Sequence, residues 1–379
     1  MNIIFFTNIS TFPYNGGEKL RSYYLLKALS DLGHTVHAVI RNEEEADLSK
    51  YALPNVAYHI HPKKPLAVTE RLTGSHYFTK SPAVMDLFGK ICREHDIDTA
   101  VLDYGYVGHY IGFFRRRGIR VVLGTHNAQP EISRQLPARS LIQKFRKMQL
   151  VTLEQWHERS YFAKADAVLV VSHHDLDYHR RFIDPDKLFL VPNFLDEAEY
   201  ALKAPRQQRL LVMTANFTVY QNFEGLRWFV QEVWNPALAE KFRLQLVGRG
   251  SREALQKITG STDWQNIVAL GRVDDVKQYI ASAEGVVIPL LHGSGTRLKC
   301  LEAMALHTPV IATSRGVEGV LSHHFIVADS AADFRTALLR FEGSPQRGDA
   351  LRADFMKEYS AAVNRQRLAE AIHFAQHVQ

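Results

Sequence analysis

Short apolar runs alternate with amphipathic stretches along most of the chain. Residues 3–7, Ile-Ile-Phe-Phe-Thr, form a run rich in β-formers. A loop with Pro13, Asn15, Gly16 and Gly17 follows, and then Leu25, Leu29 and Leu32 recur at helical spacing up to Gly33. Residues 35–40 read as a second strand. Later candidate strands contain Val101 and Leu102, then residues 121–125 and 167–171. Strands and helices alternating in this way predict a parallel sheet with helices on both faces. Residues 201–209 are polar and lack periodicity, so a linker is expected there, with a boundary near 200. Beyond it strand signals restart at 210–214, 244–247, 267–270, 286–289 and 309–312. Two α/β halves are expected, over residues 1–200 and 201–360. A final helix at about 360–379 is expected to pack back on the first half.

Composition narrows the class. Of the 379 residues, 46% are hydrophobic and 23% charged, which fits globular domains and excludes bulk disorder. Cys92 and Cys300 are far apart and no Cys-x-x-Cys occurs, so reduced thiols are expected, with no zinc knuckle or dithiol centre. The N-terminus has no cationic start or long apolar run, so no signal peptide is expected. No stretch approaches the ~20 apolar residues of a spanning helix. The expectation is a cytoplasmic protein, soluble or peripheral at the inner face of the membrane.

The net charge of +6 is uneven, because residues 101–150 hold nine Lys/Arg against two acids. A solvated helix face, an anionic membrane surface contacted through 115–159 and an acidic acceptor all fit this feature; nucleic acid is not expected. Within 134–159, Leu141, Phe145, Met148 and Trp156 lie among basic residues. That pattern suits either a helix docking on a membrane or one packed on its own domain.

Three loops at strand ends are able to carry chemistry. The first spans 292–305, where Gly293 and Gly295 flank Ser294 and the loop opens a helix through Thr296 and Arg297. Free N–H groups and the helix dipole favour an anion there. Arg297 and Lys299 in the first turn oppose the dipole, which points to a bound anion. Glu302 follows Lys299 by three residues, on about the same helix face, where a carboxylate can accept from two adjacent hydroxyls of a ribose. The alternative is a Gly-rich turn with a surface Lys–Glu pair. The second loop, with Gly16, Gly17 and Arg21, repeats the glycine-at-helix-start logic but equally reads as a simple turn. The third, Thr125-His126-Asn127, leaves a strand with a histidine that serves as donor, acid or base, or is structural. Metal ligation is not expected: the His and Asp pairs lack ligand spacing, and three Asp-x-Asp triplets sit at the wrong places.

Taken together, the chain resembles the GT-B-fold glycosyltransferases of the large retaining family 4. The likeness is carried by Gly16-Gly17, Arg21 and Gly33-His34; by Thr125-His126-Asn127; by Val191-Pro192-Asn193; by residues 222–226 and 246–250, with Asn222, Gly248 and Arg249; and by 293–305 followed by 308–312 and 316–319. It implies two Rossmann-like doubly wound domains facing a central cleft. A nucleotide-diphosphate sugar, UDP- or GDP-linked, would occupy the C-terminal domain. A glycan or lipid-linked acceptor would occupy the N-terminal one, with polysaccharide or lipopolysaccharide assembly as context. Glu302 matches the second Glu of the family's Glu-x7-Glu motif, which binds the donor ribose; Ser294 stands where the first would be. The loop 215–222 lacks the cations that many members carry, so Arg297, Lys299 and the N–H groups of Gly295 and Thr296 would hold the diphosphate, helped by Arg249. Base contacts are expected near Arg249 and Val273.

His126 would orient the sugar, Gly16 and Gly17 would sit over the phosphates, and Arg21 and Asn127 would lie on the acceptor side. No metal or cofactor is expected, because fixed cations and a helix N-terminus stabilise the leaving group. The alternatives are a catalytically silent sugar-nucleotide scaffold, another GT-B enzyme such as a nucleotide-sugar 2-epimerase, and, more weakly, an NAD dehydrogenase.

Overall fold

Ile3, Ile4, Phe5 and Phe6 are all fully buried, because the strand they form has a neighbour on each side and helices over both faces. The computed structural model describes residues 1–13, 17–42, 46–61, 80–135, 138, 140–202, 204–292 and 296–377. The chain divides into two units, Met1–Asn193 with Asn364–Gln379, and Phe194–Val363.

In the first unit seven strands, β1 (Asn2–Ser10), β2 (Thr35–Arg41), β3 (Val56–Ile60), β4 (Thr99–Asp103), β5 (Arg120–Gly124), β6 (Ala167–Val170) and β7 (Leu188–Leu190), form one sheet in the order β3-β2-β1-β4-β5-β6-β7. Every pairing is parallel. The order reverses between β1 and β4, so the helices leaving these strands diverge and open a crevice at the strand C-termini. One face of the sheet packs Phe6 against Phe88 edge-on at 5.0 Å, with Phe88 4.9 Å from Phe114.

The Leu141–Tyr161 helix starts with a capping box: Gln143 N donates to Ser140 Oγ at 3.2 Å, and Ser140 N donates to Gln143 Oε1 at 3.2 Å. Its first turns carry large apolar side chains on the surface, with Leu141 84%, Ile142 67%, Phe145 62% and Met148 61% exposed. From Val151 onward its inner face is buried and carries Glu154, His157 and Glu158.

The second unit repeats the design. Its strands β8 (Gln207–Thr214), β9 (Arg243–Val247), β10 (Asp263–Trp264), β11 (Ile267–Gly271), β12 (Ala283–Ile288), β13 (Val310–Ala312) and β14 (Ile326–Val327) run in the order β10-β11-β9-β8-β12-β13-β14. Only the β10–β11 pairing at the edge is antiparallel. The reversal falls between β8 and β12.

Two expectations differ from the structure. The change of unit falls between Asn193 and Phe194, not near 200, because Leu195 bonds through its N–H to Tyr359 O at 3.1 Å and through its carbonyl to Ala361 N at 2.9 Å. Gln207, Gln208 and Arg209, expected in the linker, open β8; they are exposed at the strand's start and therefore polar. The C-terminal helix Ala361–His377 joins the first unit from Asn364 on, where Phe374 lies 5.3 Å from the Phe189 ring and Arg365 pairs with Asp31 at 2.8 Å. Among the described residues no helix is long and apolar enough to cross a membrane.

Candidate active site

At the switch point of the second sheet, β8 leads into the helix Tyr220–Trp228 and β12 into the helix Leu298–Ala305. Both helices present free N–H groups to the space above the strand ends. Lys299 Nζ donates to Asn222 Oδ1 at 3.1 Å, which ties the two helix starts together. Burial and the neighbouring Arg297 pull the Lys299 ammonium down to about 8. One turn on, Glu302 accepts from the Tyr200 hydroxyl at 3.3 Å, and burial pushes its carboxyl up to about 7 despite that bond and the nearby Lys299 and Lys277. Lys277 lies 5.2 Å from the Tyr200 ring. Arg297 is turned toward the next loop: its Nε donates to Arg315 O at 2.9 Å and it pairs with Glu318 at 3.4 Å. The Thr296 hydroxyl is buried, with no hydrogen-bond partner among the described residues.

Gly248 closes the other side of this crevice. Its φ is +133° and a Cβ would lie 2.0 Å from Ala215 O, so only glycine lets the end of β9 pass the loop after β8. Arg249 beside it is exposed, its carbonyl accepting from Phe217 N at 2.8 Å, and Val273 is half-buried just past β11. Gly295 and Ser294 lie outside the described residues, as does Gly16 of the first loop.

The first unit has its own cluster at the β1–β4 switch point. Asp103, the last residue of β4, is fully buried. One of its oxygens lies 2.9 Å from His126 Nε2 and the other accepts from Ser22 Oγ at 2.5 Å. Arg21 Nε is 4.0 Å away. Burial alone would raise the Asp103 pKa, but His126, Arg21 and Ser22 together hold it below the usual carboxylate range. The Arg21 guanidinium is enclosed and donates to Val191 O at 3.0 Å and Asn193 Oδ1 at 3.2 Å; burial lowers its pKa to about 10, so it stays cationic at neutral pH. The Asp103 contact fixes the His126 ring through Nε2. His126 and Asn127 line a cavity of about 10 Å³, room for one water, with Tyr104, Tyr106, Glu154 and Glu158. Gly17 starts the helix Gly17–Asp31, whose next turn supplies Arg21 and Ser22.

The structure thus gathers Asn222, Thr296, Arg297, Lys299 and Glu302 in one place, and Arg21 and His126 in another. Sequence reading missed Asp103, Ser22, Tyr200 and the buried Glu154 and Glu158. Asp103 had a usable signal, an acid directly ending an apolar strand. Arg21 serves as a tie between the first helix and the Val191–Asn193 segment.

Residues 15–199 match the family described as Glycosyltransferase Family 4, and residues 208–342 the family described as Glycosyl transferases group 1. A stretch of 141 residues is 33% identical to the phosphatidyl-myo-inositol mannosyltransferase of Mycobacterium leprae (strain TN), covering 34% of this chain and only 37% of that protein. A Klebsiella pneumoniae protein described as an uncharacterized 44.6 kDa protein in cps region is 21% identical over 346 residues, 87% of this chain and 88% of the other. Among solved structures, Anabaena Alr3699/HepE in complex with UDP has a TM-score of 0.67 at 14% identity, covering 98% of this chain and 100% of that one. The E. coli structure described as trehalose-6-phosphate bound with UDP-2-fluoro glucose has a TM-score of 0.67 at 12% identity, covering 100% of both chains. At these identities the structural likeness bears on the fold, which is the two-unit Rossmann-like fold they share.

Proposed function

Because the chain belongs to the group 1, family 4 glycosyltransferases and has their GT-B fold, we propose that it moves a sugar from a UDP- or GDP-linked donor to a hydroxyl of a lipid-linked glycan acceptor. The observation that carries this reading is the Lys299–Asn222 bond at the second switch point, with Glu302 one turn on. Two helix N-termini and a lysine suit a diphosphate, and the carboxylate beside them suits a ribose. Neighbours of known structure hold UDP or UDP-glucose, which supports the same class of donor.

The chemistry follows from charge. Negative charge grows on the diphosphate as its bond to the sugar breaks, and Lys299 and the helix N-termini stabilise it by several kcal/mol, while Arg297 stays bound to Arg315 O and Glu318. This arrangement needs no divalent metal. Asn222, Gly248, Arg249, Val273 and Thr296 complete the donor side. His126, fixed by Asp103, orients the sugar, and Asn127 belongs to the acceptor side. Retention is proposed, with same-face attack and the departing phosphate taking the acceptor's proton.

The acceptor reading rests on the exposed first turns of the Leu141–Tyr161 helix. Leu141, Ile142, Phe145 and Met148 are exposed there beside Lys144, Arg146 and Lys147, and the helix's first acid, Glu154, is buried. Such a segment suits an anionic membrane surface. The mycobacterial relative's name, a mannosyltransferase of a phosphatidylinositol, agrees with a lipid acceptor.

A thermal-shift screen with UDP, GDP, CMP, ADP and NAD, with and without magnesium, tests the donor site. One nucleoside diphosphate should raise Tm without metal, by the equivalent of about 2.7 kcal/mol at a hundredfold excess over Kd. Stabilisation by NAD alone would overturn the reading. Binding without turnover of any donor sugar would favour the silent scaffold.

A further inference from the structure

Three arginines from three separate segments converge on an open cleft of about 470 Å³ in the first unit. Arg134 lies in the last turn of the helix Gln129–Gln135, Arg159 in the last turn of Leu141–Tyr161, and Arg181 just past the helix His173–His179. Gln155, one turn before Arg159, completes the lining with Tyr178 and Phe182. All three guanidinium-bearing residues are exposed, and among the described residues none pairs with a carboxylate, whereas the adjacent Arg180 pairs with Asp177 at 3.0 Å.

Like charges facing one cleft repel, and surfaces ordinarily intersperse acids among them. Here the nearby acids are engaged elsewhere. Glu131 holds His174 at 2.5 Å, and Glu154 accepts from Tyr106 at 2.5 Å and Ser133 at 2.9 Å in the interior. Glu158 lies beneath Tyr178, and burial pushes its carboxyl up to about 8, so the floor adds little negative charge at neutral pH. The volume is that of a small-ligand site. Planar guanidinium forks match phosphate oxygens in pairs.

We propose that this cleft binds the phosphate or diphosphate group of a second ligand, apart from the donor site of the second unit. A lipid headgroup and a soluble phosphate compound share that chemistry. The exposed apolar residues lie on the same helix, about 20 Å from Arg159 at 1.5 Å per residue. The inference is read by binding, so it stands apart from the transfer reaction.

The test uses the full chain carrying Lys299→Ala, which weakens competition from the donor site, with and without Arg159→Ala/Arg181→Ala. One arm titrates pyrophosphate and follows Tm. The other measures co-sedimentation with phosphatidylglycerol–phosphatidylcholine vesicles against phosphatidylcholine alone. The double substitution should leave the ligand-free Tm unchanged and weaken at least one binding tenfold or more. Loss in the pyrophosphate arm identifies a soluble phosphate, and loss confined to the vesicle arm identifies a headgroup. Unchanged binding in both arms would overturn the proposal. So would an equal loss in Arg115→Ala/Arg116→Ala, which removes as much exposed charge elsewhere on the unit. The UDP-induced shift, measured with Lys299 intact, should survive the double substitution; its absence in the parent would instead count against the donor reading.

Discussion

The ammonium of Lys299 donates to Asn222 Oδ1 at 3.1 Å, so one hydrogen bond joins the helix after β12 to the helix after β8. The lysine is thereby held where a diphosphate would meet both helix starts. Burial beside Arg297 lowers its pKa to about 8. A diphosphate needs the protonated form, so UDP affinity should weaken as pH rises through 8 and level off below it. Lys299→Arg should remove this dependence, because guanidinium stays charged. Lys299→Ala should cost about 10- to 160-fold, from the roughly 1.5–3 kcal/mol of a charge-assisted hydrogen bond. Calorimetric titration between pH 6.5 and 9 checks all three, and a flat wild-type profile would remove Lys299 from the diphosphate site.

Glu302 and Tyr200 form the pair proposed for the ribose. Burial raises the Glu302 carboxyl to about 7, and the Tyr200 hydroxyl is the largest influence opposing it. Tyr200→Phe should therefore weaken UDP binding by about 2- to 10-fold, the net worth of one hydrogen bond. Glu302→Ala should erase the preference for UDP over its 2′-deoxy analogue. A preference that survives the alanine would place the ribose elsewhere.

Asp103 and His126 separate stability from turnover. Removing one partner of a buried charged cluster costs about 3–5 kcal/mol, so Asp103→Ala should lower the denaturation midpoint sharply and take from Arg21 the larger of its two carboxylate influences, Asp103 and Asp175. Because the folded-state pKa of Asp103 is depressed, its contribution is present above the ordinary carboxylate pKa and is lost as pH falls below it. His126→Asn should cost less stability, since Ser22 and Arg21 still hold Asp103. Turnover should nevertheless fall by about 100-fold or more. Wild-type turnover in His126→Asn would exclude it from the sugar site.

What the sequence reveals follows from where each signal is written. The buried parallel strands are legible because both faces demand apolar residues, as in residues 3–6 and 167–170. The helix start that carries Lys299 and Glu302 is legible because strand, glycines and helix are contiguous in sequence. Asp103 shows in sequence only as an acid ending an apolar strand, because its partners His126 and Ser22 lie 23 and 81 positions away. Glu154 and Glu158 sit in a basic amphipathic segment, where an acid reads as part of a solvated face. Only the packing of the helix's second half shows them buried. β3, Val-Ala-Tyr-His-Ile, is an edge strand without a continuous apolar run and gives no clear signal.

His157 and Glu158 are adjacent on one helix and should give opposite pH slopes. Burial, with His109 nearby, lowers His157 to about 3, so it folds neutral; its contribution is complete above about 6.5 and is lost as pH falls toward 3. Burial raises Glu158 from 4.5 to about 8, so its contribution is complete below 4.5 and is lost as pH rises through 8. Between about 4.5 and 6.5 the two slopes oppose each other. Glu158→Gln keeps the acceptor oxygen for Tyr178 but cannot ionise. It should match wild type below pH 4.5 and exceed it by a few kcal/mol near pH 8.5. Urea unfolding of both proteins at pH 4, 6 and 8.5 gives the difference directly. A variant no more stable than wild type at pH 8.5 would mean that Glu158 folds ionised, and would place a negative charge beneath the arginine cleft.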